Sequence, residues 1–347
     1  MPDTLTARLE RFGRLWAGHR TLLWRLHSIW ALIAGVGVIF LAHRSYGFGR
    51  WVILFLVLIW ASTFIFTRTF TNQKSFLSRA AFPGVRREVA SYLTRVMYQT
   101  TLFFLIPFYW YSTVVGSPNT IFLILLVGLA LLSCADVLFD RWLRRRPLFG
   151  IFYFATVAFA ALNLILPPLL AVPPDRASLP ASLVAVGSAI PLVMQGSVKR
   201  RSGPLWIGIL ALLFFLLVFS FPQLIPPVPT HLNNVTFASS VDTATLTAGD
   251  RLPPRVQTHQ LRGVLFIFGE IFSPATLPST VRLEWRRDGE LIRTSRQIQL
   301  LAHVVGFRFW DAYRPETGMI LPGKYEVNFR TAGNRILGIA VIQVSSE

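Results

Sequence analysis

The chain has little with which to do covalent chemistry. It holds one cysteine, Cys134, so it can form no intramolecular disulfide, and no Cys/His zinc pattern exists. Acids are scarce as well, with 16 Asp and Glu against 34 Lys and Arg. Between the N-terminal segment and residue 222 they reduce to Glu88, Asp136, Asp140 and Asp175. Acid–base and nucleophilic catalysis need convergent groups, and neither H-x-x-x-D nor H-E-x-x-H spacing occurs in that part. His231, His259 and His303 are scattered further on. These absences lead to the expectation of a non-enzymatic protein with no catalytic residue, no metal and no cofactor.

Charge of either sign is also thin. Only 14% of residues are charged and 53% are hydrophobic, with a mean hydropathy of +0.52, whereas a soluble domain carries about 25% charged residues. The apolar excess lies before residue 222, and the remainder reads as an ordinary soluble domain. Of the 34 Lys and Arg, 21 fall in the apolar part, along with only six acids. They sit in the short connections between apolar runs. Charge placed there orients a membrane protein and meets anionic lipid head groups at the cytoplasmic face; it does not make a nucleic-acid surface.

A helical span needs about 20 mostly apolar residues. Seven stretches suggest spans, at 27–43, 50–67, 97–116, 120–139, 148–171, 179–195 and 204–222. The sixth is the weakest, interrupted by Pro191 and rich in small residues. The connections alternate: Arg8 to Arg25, Arg68 to Arg95, Arg141 to Arg146 and Lys199 to Arg201 are basic, and those between them hold only Arg44, Arg50 and Arg176. The positive-inside rule then makes the N-terminus cytoplasmic and, with an odd span count, puts the C-terminal domain outside. The first run starts near Ile29 after a long basic segment, which argues against a cleaved signal peptide.

Two basic stretches have apolar residues at helical spacing, Leu5, Leu9, Phe12 and Trp16, then Val85, Val89, Tyr92 and Val96, as interfacial helices do. Among charges at membrane depth Asp136 stands out, with Asp140 four residues on and Arg141 and Arg144–Arg146 close by. A helix-end ion pair and an ion relay both fit it. Pro107 and Pro191 should kink their helices, and Pro167 with Pro168 should end the fifth span.

The organisation expected is therefore a basic amphipathic segment (1–26), a seven-span α-helical membrane bundle (27–222), a Pro-rich linker (223–232) and an all-β immunoglobulin-like sandwich domain (233–347). In the last part Val281 to Trp285 alternates apolar and charged residues, Asp288-Gly289 makes a tight turn, and Glu290 to Arg293 returns. Lys324 to Arg330 alternates again, turns through Ala332-Gly333-Asn334 and runs back from Ile336 to Val344. About seven strands result, and Trp285 shares the core face with Val281 and Leu283. With Phe307 and Phe309 inward, Arg308 and Trp310 face outward beside Asp311 and Tyr313. These four are the partner-binding candidates, since Trp, Tyr and Arg dominate hot spots.

The runs "VRLEWRRDGELI", "GFRFWDAY" and "LPGKYEVNFRTAGNRILG" resemble the bacterial domain of unknown function 2914. The runs "LFFLIPFYW" and "LLSCADVLFDRWL" resemble the domain of unknown function 5924. The resemblance implies a Gram-negative inner-membrane protein with a periplasmic C-terminal domain, and carries no activity with it. Trp285, Gly306, Arg308, Trp310, Gly323 and Lys324 correspond to its pattern positions; Tyr325 stands where Trp is usual. Two functions follow as expectations. One is a non-enzymatic envelope protein whose sandwich binds a protein or other envelope partner. The other is a transporter or lipid-handling protein acting through the helices with Asp136.

Overall fold

The computed structural model describes residues 83–135, 139, 147–192, 203–273, 279–300 and 306–346. Two compact units emerge, Met1–Pro107 with Ala130–Phe139, and Phe108–Leu129 with Asp140–Glu347. Five α-helices are described: α1 (Pro83–Tyr111), α2 (Thr120–Cys134), α3 (Pro147–Leu170), α4 (Pro174–Leu192) and α5 (Gly203–Phe219).

The expected seven-helix bundle is not what these residues form. Among them, only Leu148–Leu170 is both long and apolar enough to cross a membrane. Helices α2 and α5 are apolar but have 15 and 17 residues. At 1.5 Å per residue they fall short of a hydrocarbon layer of about 30 Å. Helix α1 starts at Pro83, not near residue 97, and runs through the stretch expected to be a separate interfacial helix. Hydropathy had marked apolar content without marking helix ends. The first two expected spans, the N-terminal amphipathic segment and Asp136 lie outside the described residues.

Local chemistry explains the ends that are seen. Pro83, Pro147 and Pro174 each open a helix, where the missing N–H costs nothing. Pro167 and Pro168 lie inside α3, not at its end. The stop is Ala171, in the left-handed region at φ 52, with the Val172 N–H bonded back to the Pro167 carbonyl at 3.2 Å. Pro173 and Pro174 then set the start of α4.

In the first unit, Gln99 donates to the Cys134 sulfur at 3.3 Å, and the rings of Tyr98 and Phe139 meet edge-on at 6.2 Å. In the second unit α3 packs along α4, and Phe159 of α3 meets Phe214 of α5 with ring centroids 5.1 Å apart.

Among the described residues the β half has eleven strands where about seven were expected, so the immunoglobulin-like expectation is corrected along with the bundle. One sheet has the order β1 (His231–Ala238), β5 (Leu265–Phe272), β9 (Phe307–Tyr313). The other has the order β4 (Arg255–Gln257), β11 (Ile336–Ser345), β10 (Gly323–Thr331), β6 (Thr280–Arg287), β7 (Glu290–Thr294), with β8 (Ile298–Gln299) also on β6. Short strands β2 (Val241–Asp242) and β3 (Thr247–Ala248) pair with each other. The β4–β11 pairing is parallel, and every other one is antiparallel.

The two larger sheets share one core. Phe237, Leu265, Ile267, Ile271 and Phe309 from the first meet Val281, Leu283, Trp285, Val327 and Phe329 from the second. The Asp288-Gly289 turn is present, with both residues at positive φ (51 and 90), the geometry a two-residue hairpin loop requires. Trp285 is fully buried.

Candidate functional site

The four residues singled out on β9 divide between the two faces of the strand, because side chains alternate. Phe309, Asp311 and Tyr313 share the inner face. Asp311 accepts from the Trp285 indole N–H at 2.8 Å and from Arg293 Nη2 at 3.1 Å, and Arg293 also donates to the Ala312 carbonyl. Tyr313 stacks on Trp285 at 5.8 Å. These two side chains therefore hold β9 of one sheet to β6 and β7 of the other. Arg308 and Trp310 face outward. Arg308 is 46% exposed and pairs with Glu270 across the strand at 2.9 Å; the Trp310 ring lies 6.4 Å from Phe266.

Sequence reasoning passed over a second constellation, where the β10–β11 hairpin meets the start of α4. Asp175, in the first turn of α4, receives three donors from the hairpin. The Thr331 hydroxyl reaches Oδ1 at 2.9 Å, the Gly333 N–H reaches Oδ2 at 2.8 Å, and Arg335 Nε approaches Oδ1 at 3.3 Å. Gly333 is needed at this close approach, since a Cβ there would fall within 2.8 Å of the Asp175 carboxylate. The Arg335 side chain is 2% exposed. Burial pulls its guanidinium below the usual arginine range, and the Asp175 carboxylate pushes the other way.

From Arg335 a polar chain runs inward between helices. Arg335 donates to the Ser178 hydroxyl, which donates to Asn163 Oδ1 at 2.9 Å. Asn163 Nδ2 donates to the Tyr109 hydroxyl at 3.3 Å, and Tyr109 donates to the Ala160 carbonyl at 3.0 Å. Beside it, Asn119 Nδ2 donates to the Ile336 carbonyl at 3.1 Å, while Asn119 Oδ1 accepts from Ser117 at 2.6 Å. Buried polar groups survive when each finds a partner, and most of these do. The exception is Arg335 Nη1, which has none. The isolated acid after Pro173-Pro174 was visible in the sequence, but nothing local to it named a partner 160 positions away.

Among the described residues no group of three or more His, Cys, Asp or Glu could hold a metal ion. The arrangement defines a class: an apolar helical half to which a two-sheet β half is fixed by a buried ion pair. The chain belongs to the family of unknown function DUF5924, whose family model matches residues 4–265. The match takes in the helices and β1–β4, so it includes Asp175 and ends before Arg335. No curated protein and no solved structure matches the chain.

Proposed function

We propose that the chain is a non-enzymatic protein of a bacterial inner membrane, with its β half on the periplasmic side binding a protein or other envelope partner. The observation that carries this reading is the inverted polarity of the helices in the second unit. Helix α5 exposes Leu205, Ile209, Leu212, Leu213, Phe215 and Phe219, while Asn163 and Ser178 are wholly buried. A surface of that kind is costly in water and suited to lipid. The basic connections support a cytoplasmic N-terminus. The resemblance of the β half to the domain of unknown function 2914 supports a periplasmic site for it.

Arg308 and Trp310, facing outward on β9 at the edge of the three-stranded sheet, offer a contact surface for a partner. A photoreactive residue in place of Trp310 should give a crosslinked product in cells. The same residue at Leu246, exposed on the β2–β3 turn, should not. Equal products from both positions, or none from either, would remove the contact surface from the account.

A further inference from the structure

On the outer face of the larger sheet, Arg282, Arg286 and Arg330 surround a single carboxylate. Glu284 receives Arg330 Nε at 2.9 Å, Arg282 Nη2 at 3.4 Å and Arg286 Nη2 at 3.8 Å. Arg330 Nη1 and Arg282 Nη2 also both donate to Asn334 Oδ1, each at 3.1 Å. Arg282 and Arg330 lie directly opposite each other in the β6–β10 pairing. Like charges so placed destabilise a sheet. The other acid on this face, Glu326, is opposite Arg286 and accepts from Asn328 at 2.9 Å, so positive charge stays in excess. Two guanidinium donors, Arg282 Nε and Arg286 Nε, have no partner although they are shielded from solvent.

The height of the cluster follows from the junction. Arg330 is one residue from Thr331, which touches Asp175, and strand rise makes that step about 3.3 Å. Leu169 and Leu170 at the end of α3, and Leu179 one turn into α4, are exposed beside this junction. Head groups occupy about 5–7 Å beyond the hydrocarbon on each side. On the membrane reading, Arg330 and Arg282 opposite it would lie within that layer, and Arg286, four residues or about 13 Å further along β6, reaches back to Glu284.

We propose that Arg282, Arg286 and Arg330 bind the phosphate of an anionic phospholipid in the leaflet on which the β half rests. The inference rests on the membrane reading above. Guanidinium forks match phosphate oxygens in geometry and charge, and a bound phosphate would relieve the facing Arg282–Arg330 pair. The site is distinct from the basic connections expected at the cytoplasmic face.

The test is native mass spectrometry of the full-length protein in detergent, titrated with phosphatidylglycerol, phosphatidylcholine or inorganic phosphate. Phosphatidylglycerol should be retained in preference to phosphatidylcholine. Arg282→Gln with Arg330→Gln should weaken its retention by about tenfold or more, the scale of losing two charge-assisted contacts. Arg282→Lys with Arg330→Lys should keep the charge and recover part of the loss. Arg251→Gln with Arg255→Gln, an equal charge change at exposed positions elsewhere, should leave retention unchanged. Unaltered melting of the glutamine variant would separate lost binding from lost folding. Equal retention of the two lipids, an equal loss in the Arg251/Arg255 control, or binding of inorganic phosphate alone would overturn the proposal. A chain recovered without membranes from cell lysates would overturn the membrane reading itself.

Discussion

Arg335 is the residue on which the junction turns. Removing one partner of a buried ion pair leaves the other charge uncompensated and costs about 3–5 kcal/mol. Arg335→Ala should lower the denaturation midpoint by that order and raise hydrogen exchange in the β10–β11 hairpin. Arg335→Met with Asp175→Leu, which removes both charges and keeps bulk, should cost less, and thermal melts of the two would decide. A titration separates the core from the junction. Burial, the largest cause, raises the Tyr325 phenol above its ordinary value, and its hydroxyl donates to the Leu321 carbonyl at 2.9 Å. A raised folded-state pKa favours the protonated form. Its contribution to stability is therefore complete below about pH 10 and is lost as pH rises through the folded value. Denaturant melts from about pH 9 upward should show that loss, and Tyr325→Phe should flatten it.

At the scale of elements, the tight fit is the turn between β10 and β11. Gly333→Ala would set a Cβ against Asp175 and should cost about 1–3 kcal/mol, read as lower stability with unchanged strand content. The hairpins were legible because their signals are local. Period-two alternation, Asp-Gly at positive φ and the inward Trp285 lie within a dozen residues of one another. Helix ends were less legible, since hydropathy measures composition and helix stops depend on geometry such as the left-handed Ala171. The site divided the same way. Alternation correctly put Arg308 and Trp310 outward, and the same rule turns Asp311 and Tyr313 inward. The Asp175–Arg335 pair could not be read at all, because it joins an element of the helical half to one of the β half.

For the whole molecule, the proposed function has the helices facing lipid and the β half outside the cell's inner compartment. Leu212 is 57% exposed on α5. On a water-facing surface Leu212→Arg would shift stability by no more than about 0.5 kcal/mol. In lipid, a central arginine costs about 2.5–3.5 kcal/mol of insertion, and the membrane-bound yield should fall accordingly. The sidedness has a more direct measurement, which the single cysteine makes simple. With Cys134→Ser as background, Thr317→Cys places one thiol on an exposed loop of the β half. A membrane-impermeant maleimide applied to intact spheroplasts should label that thiol fully, and lysis should add nothing. Labelling that appears only after lysis would put the β half in the cytoplasm and contradict the account.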